Sequence, residues 1–141
     1  MDLTNTLPLP IVVLADDDDE DCMIFADAIA AIEANVELNT VKNGEILMQL
    51  LKKYVPDLLF LDIQMPYQDG RQCIKAIRAN REYDALPVIV YTGMRNPDSV
   101  NFFFREGANF FLEKPETMGK LKIALYQILS RFSFITFKQK D

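Results

Sequence analysis

Short continuous apolar runs alternate with helically spaced apolar positions along the whole chain. Ile11-Val12-Val13-Leu14-Ala15 lies between Pro10 and a block of acids and predicts a strand buried on both faces. Phe25, Ile29 and Ile32 then recur at helical spacing and predict a helix over about 19–34, with acids in its first turn where the dipole favours them. Residues 36–41 alternate apolar and polar, as an edge strand does. Ile46, Leu47, Leu50 and Leu51 form the stripe of a helix over 44–54, which Pro56 stops. Residues 57–61 are a second buried strand, and Met65-Pro66 with Asp69-Gly70 marks the following stretch as a loop. A helix over 71–80 turns Ile74 and Ile77 inward, and 87–91 is the next strand. Asn96 as N-cap and Pro97 at the first helical position open a helix that Gly107 ends. Residues 109–112 are the last strand. Residues 117–131 form the final helix, with Leu121, Leu125, Ile128 and then Phe132 on its stripe.

The strand–helix unit therefore occurs five times. That order predicts an α/β fold, a single doubly wound (βα)5 domain, with a five-stranded parallel sheet and helices on both faces. A length of 141 residues with 50% hydrophobic and 26% charged positions suits one globular domain with a sizeable core. No apolar run is long enough to span a membrane, and residues 1–10 lack the basic and apolar regions of a signal peptide. Two cysteines, Cys22 and Cys73, are too few for a disulfide framework or a zinc cluster, so reduced thiols and a cytoplasmic location are expected. Nothing marks either as an activated thiolate. Histidine is absent, which excludes every histidine base, triad or metal ligand supplied by this chain.

The net charge is −6, and its placement says more than its sum. Ten of the 21 acids precede the first basic residue, Lys42, and Asp16 to Asp21 are six consecutive acids. Such a knot attracts a cation and repels nucleic acid. In open parallel sheets, functional groups gather at the carboxyl ends of the strands. Those ends carry Asp16-Asp17, Asp62, Thr92 and Glu113-Lys114. Glu113 and Lys114 point to opposite sides, so only one of them faces the crevice. Clustered carboxylates repel unless a cation joins them, and oxygen-only ligands favour a hard ion, Mg²⁺ first. A carboxylate beside Mg²⁺, a lysine and a hydroxyl is a workable phosphoryl acceptor.

At these positions the chain resembles the receiver domain of two-component response regulators, the chemotaxis-regulator-like fold. The matching pieces are Val12-Val13-Leu14-Ala15-Asp16-Asp17, then Pro56 through Pro66 with Asp62 at its centre and Asp69-Gly70 behind it. Pro87-Val88-Ile89-Val90-Tyr91-Thr92-Gly93, Gly107-Ala108 and Lys114-Pro115 complete the set, which covers about residues 10–131. The resemblance implies a sheet ordered 2-1-3-4-5. It implies Asp62 as phosphoacceptor, Asp17 as a direct Mg²⁺ ligand, Asp16 as a ligand through water, and the Gln64 carbonyl as a further ligand. It assigns Thr92 and Lys114 to the phosphoryl group, and makes the Lys114–Pro115 bond cis. It implies a sensor histidine kinase or histidine phosphotransfer protein as donor and a downstream protein as target. Beyond slow loss of its own phosphate, no enzyme activity is expected.

Departures from the family pattern are informative. The switch aromatic, often tyrosine, is Phe111 here, which can rotate inward but has no hydroxyl. Gln64 and Met94 occupy the two variable positions that tune dephosphorylation, and apolar Met94 cannot position a water. Asp18 and Asp19 extend the usual acid pair and add negative potential, while Asp19, Glu20 and Asp21 read as a solvated helix N-terminus. Residues 1–9 read as an N-terminal extension, 10–132 as the receiver, and 133–141 as a tail, with no output domain expected. Phe102, Phe103 and Phe104 fan over about 200° of a helix and cannot all face the core. Val100 and Phe104 share a face, and with Phe111 they suggest an apolar partner surface, a homodimer contact included. A receiver-like binding module without phosphate chemistry is the alternative. A haloacid-dehalogenase-type phosphatase would leave Asp62 unexplained and lacks room for a cap domain. A flavin carrier would need a Ser/Thr/Gly-rich loop where this chain has acids.

Overall fold

The computed structural model describes residues 8–65, 69–93 and 96–135. Five strands, β1 (Ile11–Ala15), β2 (Glu37–Val41), β3 (Leu58–Leu61), β4 (Val88–Thr92) and β5 (Phe110–Glu113), form one parallel sheet ordered β2-β1-β3-β4-β5. Between and after them run α1 (Asp19–Ala31), α2 (Gly44–Lys53), α3 (Gly70–Ala79), α4 (Pro97–Arg105) and α5 (Met118–Arg131), with a 3₁₀ turn at Arg81–Tyr83. Alternation along the strands divides the core. Val13, Ala15, Leu59, Leu61, Val88 and Val90 face α2, α3 and α4. Val12, Leu14, Leu58, Phe60, Ile89 and Tyr91 face α1 and α5. Because β1, β3 and β4 are covered on both sides, they read as unbroken apolar runs. Phe25 of α1 locks the second layer by edge-on contacts with Phe60 and Tyr91, at ring separations of 5.0 and 5.4 Å.

Local chemistry sets the helix starts. Asp18, Asn43, Asp69, Asn96 and Thr117 each cap a helix, their side chains accepting an amide from the first turn. The expected ends shift by a few residues. Helix α1 stops at Ala31 and not near 34, because the chain turns at Glu33 with a left-handed φ of 55°. In α5 the fully buried stripe is Leu121, Leu125 and Leu129, with Ile128 and Phe132 only half-buried. Past Phe132, Ile135 is buried against the α1/α5 layer and the Phe134 carbonyl accepts the Asn35 amide at 3.0 Å. The Lys114–Pro115 bond is trans, contrary to the expectation of cis. Trans is the intrinsically favoured isomer of a prolyl bond. Pro66, Met94, residues 1–7 and the tail from Thr136 lie outside the described residues.

Arg78 anchors the sheet edge opposite the carboxyl ends. From α3 its Nε donates to the Gly107 carbonyl at 3.0 Å, and its Nη1 to that of Tyr83 at 2.8 Å. Its Nη2 donates to the Leu86 carbonyl at 2.8 Å and to Asn109 Oδ1 at 3.1 Å, the oxygen that also accepts the Val88 amide. One planar fork thus ties the entries of β4 and β5 to α3. Gly107 makes this possible. Its φ is +106°, and a Cβ there would sit 2.8 Å from Arg78 Cγ. Arg78→Lys is expected to destabilise the protein by about 2 kcal/mol, because carbonyls lose donors that an ammonium cannot replace in that plane. The shift of the urea midpoint at unchanged slope measures it.

Candidate functional site

The strand ends bring four side chains to one crest. Asp16 follows β1 and is wholly buried, and its amide extends the sheet by donating to the Val41 carbonyl at 2.9 Å. Asp62 follows β3, is 4% exposed, and donates its amide to the Ala15 carbonyl at 2.9 Å. The two acids are built alike. Asp16 Oδ1 accepts the amide of Asp18 at 3.0 Å, and Asp62 Oδ1 accepts the amide of Gln64 at 3.1 Å. Each Oδ1 is therefore fixed by its own loop, leaving Oδ2 for the centre. Gly70 holds the second loop close. A Cβ at Gly70 would lie 2.5 Å from Ile63 Cα.

Lys114 enters from the end of β5, where its amide donates to the Thr92 carbonyl at 2.8 Å. Its Nζ reaches Asp62 Oδ2 at 3.0 Å, Asp16 Oδ2 at 2.8 Å and Asp21 Oδ2 at 2.7 Å, with the Tyr91 ring 5.5 Å away. Glu113, beside it, is exposed, as strand alternation requires. Thr92 is fully buried at the end of β4. Carboxylate oxygens of Asp16, Asp17 and Asp62 come within 4.8 Å of one another. Gln64 lies in the loop that closes over Asp62.

The acidic run resolves into separate jobs. Asp16 and Asp17 belong to the crest. Asp18 caps α1 by accepting the Asp21 amide at 3.0 Å. Asp19 pairs with Lys42 at the surface, and Glu20 is exposed. Asp21 departs from the solvated reading, because its side chain turns to Lys114. One sequence signal was available: Asp21 precedes core residue Phe25 by four positions and so lies on the inward face of α1. Val100, Phe104 and Phe111 stay apart from the crest. Phe103 is fully buried, Phe102 half-buried and Phe104 46% exposed, while Phe111 packs on the α4 side of β5. Met94 is outside the described residues. Cys22 and Cys73 are pushed up to about 11 and about 12, chiefly by burial, which leaves both as unreactive thiols at neutral pH.

The charges at the crest do not balance. Burial works against the Lys114 ammonium, but Asp16, Asp21 and Asp62 outweigh it and hold it above the usual lysine range. Burial raises Asp16 from 3.8 to about 6, against the pull of Lys114 and the Asp18 amide. Asp16 Oδ2 is fully buried and faces the Lys114 ammonium at 2.8 Å, a cation it has to share with Asp62 and Asp21. Three converging carboxylates with only a shared ammonium among them fit a hard divalent cation. Because the folded value of Asp16 lies above its unfolded one, its cost is absent below about pH 4 and grows as pH rises through 6. With a chelator present, Asp16→Asn is expected to gain about 2 kcal/mol of unfolding free energy near pH 8. The gain should vanish near pH 4, and urea titrations at both pH values measure it.

No helix among the described residues is long and apolar enough to cross a membrane. Residues 12–126 match the response regulator receiver domain family. The chain is 32% identical over 125 residues to the probable C4-dicarboxylate response regulator DctR of Halalkalibacterium halodurans, covering 89% of this chain and 54% of that protein. It is 25% identical over 121 residues to the response regulator Rcp1 of Synechocystis sp., covering 81% of this chain and 82% of Rcp1. It spans about half or less of the length of several other curated relatives that it matches. The crystal structure of the Mn²⁺-bound form of Rcp1 superposes with a TM-score of 0.78 at 23% identity, covering 94% of this chain and 99% of that one. That of the phosphorylated cyanobacterial phytochrome response regulator RcpA superposes at 0.82, also at 23% identity, covering 93% and 99%. At these identities the structural likeness concerns the fold. The strand order, the crest of carboxylates and the family match agree, and the chain belongs to the receiver domains of two-component response regulators.

Proposed function

We propose that this receiver accepts a phosphoryl group on Asp62 with the help of Mg²⁺ and signals by protein contacts. The observation that carries the reading is the meeting of Asp62 Oδ2 and Lys114 Nζ at 3.0 Å beside the converging carboxylates of Asp16 and Asp17. One Asp62 carboxylate oxygen bonds to phosphorus as the bond from phosphorus to the donor atom breaks. The leaving group departs with that electron pair. The chain has no histidine, so a phosphohistidine donor has to be the partner's, on a sensor histidine kinase or a phosphotransfer protein. Asp16, Asp17, Asp62 and the Gln64 carbonyl would hold the cation. Once bound, it offsets repulsion between Asp62 and the incoming phosphoryl oxygens. Lys114 and the Thr92 hydroxyl donate to those oxygens. That Rcp1 has a Mn²⁺-bound form and RcpA a phosphorylated one supports both halves of the reading.

Signalling follows from the same contacts. The main chains of Thr92 and Lys114 are already joined, so a phosphoryl group that draws both side chains moves the loops after β4 and β5 together. Those loops lead into α4 and α5. Val100, Phe104 and Phe111 then present a different apolar surface to a downstream protein or a second copy. The protein is expected to work in the cytoplasm.

Intact mass after incubation with acetyl phosphate and Mg²⁺ should rise by one phosphoryl group. Asp62→Asn should show no rise, and labelling of that variant to the wild-type extent would sink the assignment. Asp17→Asn should slow labelling about a hundredfold by removing an anionic metal ligand, while Asp19→Asn should label normally. Lys114→Arg should label in part, because charge is kept, but should lose the phosphorylation-dependent change in partner binding. Normal switching in that variant would separate Lys114 from signal transmission.

A further inference from the structure

The phosphoacceptor reading leaves the shortest contact of the crest without a role. Asp21 Oδ2 lies 2.7 Å from Lys114 Nζ, closer than either strand-end carboxylate. Asp21 is no ligand in the converging trio of Asp16, Asp17 and Asp62. It belongs to the first turn of α1, where its amide is already taken by the Asp18 side chain.

We propose that Asp21 is a positioning residue that holds Lys114 in the unphosphorylated protein and competes with the phosphoryl group for it, thereby weakening the phosphorylated state. The inference rests on Asp62 being the acceptor. An ammonium has three N–H donors, and three carboxylates already surround this one. A phosphoryl group takes over the donor that Asp62 Oδ2 held and draws the ammonium toward its own oxygens, away from its contacts at 2.8 and 2.7 Å with Asp16 and Asp21, so one of these two has to give way. Asp16 is wholly buried with its other oxygen fixed by the Asp18 amide, and it cannot swing out into solvent. Asp62 carries the group. The Asp21 side chain is 35% exposed on a helix terminus and can rotate into solvent. Its charge also repels the phosphoryl oxygens. Competition and repulsion act in the same direction. Asp21 release frees the first turn of α1 from the loop after β5, a contact between segments 93 residues apart.

Asp19 provides a built-in control. It carries the same charge two residues away, but its side chain is 76% exposed and paired with Lys42. The experiment is a beryllofluoride titration in Mg²⁺, read by the amide NMR shifts of Thr92 and Lys114. Asp21→Asn is expected to bind beryllofluoride about fivefold tighter than wild type, since it removes a charged competitor for a charge-assisted hydrogen bond. Asp21→Glu should return close to wild type, and Asp19→Asn should stay within about twofold. In the metal-free protein without beryllofluoride, the Lys114 ammonium protons should exchange faster in Asp21→Asn than in wild type. Unchanged exchange together with wild-type affinity in Asp21→Asn would overturn the inference and leave the acceptor reading standing. An equal gain in Asp19→Asn would also overturn it, by showing a diffuse field. Failure of wild type to bind beryllofluoride would overturn the acceptor reading and this inference with it.

Discussion

Repulsion among carboxylates at the carboxyl end of a parallel sheet is the constraint to which the rest of this molecule answers. Asp16 and Asp62 are buried side by side on adjacent strands, and Asp17 lies within reach of both. Lys114 offsets part of that charge by touching three carboxylates at once. Amides of Asp18 and Gln64 take one oxygen from each buried acid. What remains is a crest with more carboxylates than cations, in which burial raises the Asp16 carboxyl to about 6. A site held in that condition favours a hard cation, because a cation relieves repulsion that the fold cannot.

Holding the crest together requires a stiff support, and the two core layers provide it. Strands β1, β3 and β4 are sealed on both faces, so their ends cannot drift apart without opening a packed core. The Phe25, Phe60 and Tyr91 cluster sits directly beneath the site, and Tyr91 also lies under the Lys114 ammonium. At the opposite edge Arg78 fixes the entries of β4 and β5 through three carbonyls and Asn109. The two cations divide the work. Arg78 ties together one end of β4 and β5, while Lys114 gathers three carboxylates at the other.

Much of this was legible in the residue pattern. The strands under the crest are continuous apolar runs because they are buried twice over, and that double burial is what made them readable. Asp16, Asp62, Thr92 and Lys114 could be placed at one end because parallel strands all finish on the same side. The Asn96 cap is local chemistry and could be read locally. Differences arose where neighbours along the chain do not decide. Leu129 and Ile128 are equally apolar, and only the packing of α5 against α1 chooses between them. The Lys114–Pro115 bond is trans, although its family context suggested cis.

The acidic run shows the boundary most clearly. Its six members differ little in sequence, all flexible carboxylates next to a helix start. The sequence by itself determined that a negative crest would form and which strand ends would build it, because burial and alternation are properties of each segment alone. The Asp18 cap is a contact three residues along the chain, but only the tertiary structure decided that Asp19 pairs with Lys42 and Asp21 holds Lys114. The physical reason is distance along the chain. An ion pair between residues 21 and 114 exists only after four strands have brought α1 and β5 to the same end of one sheet, and no local preference of either segment encodes it.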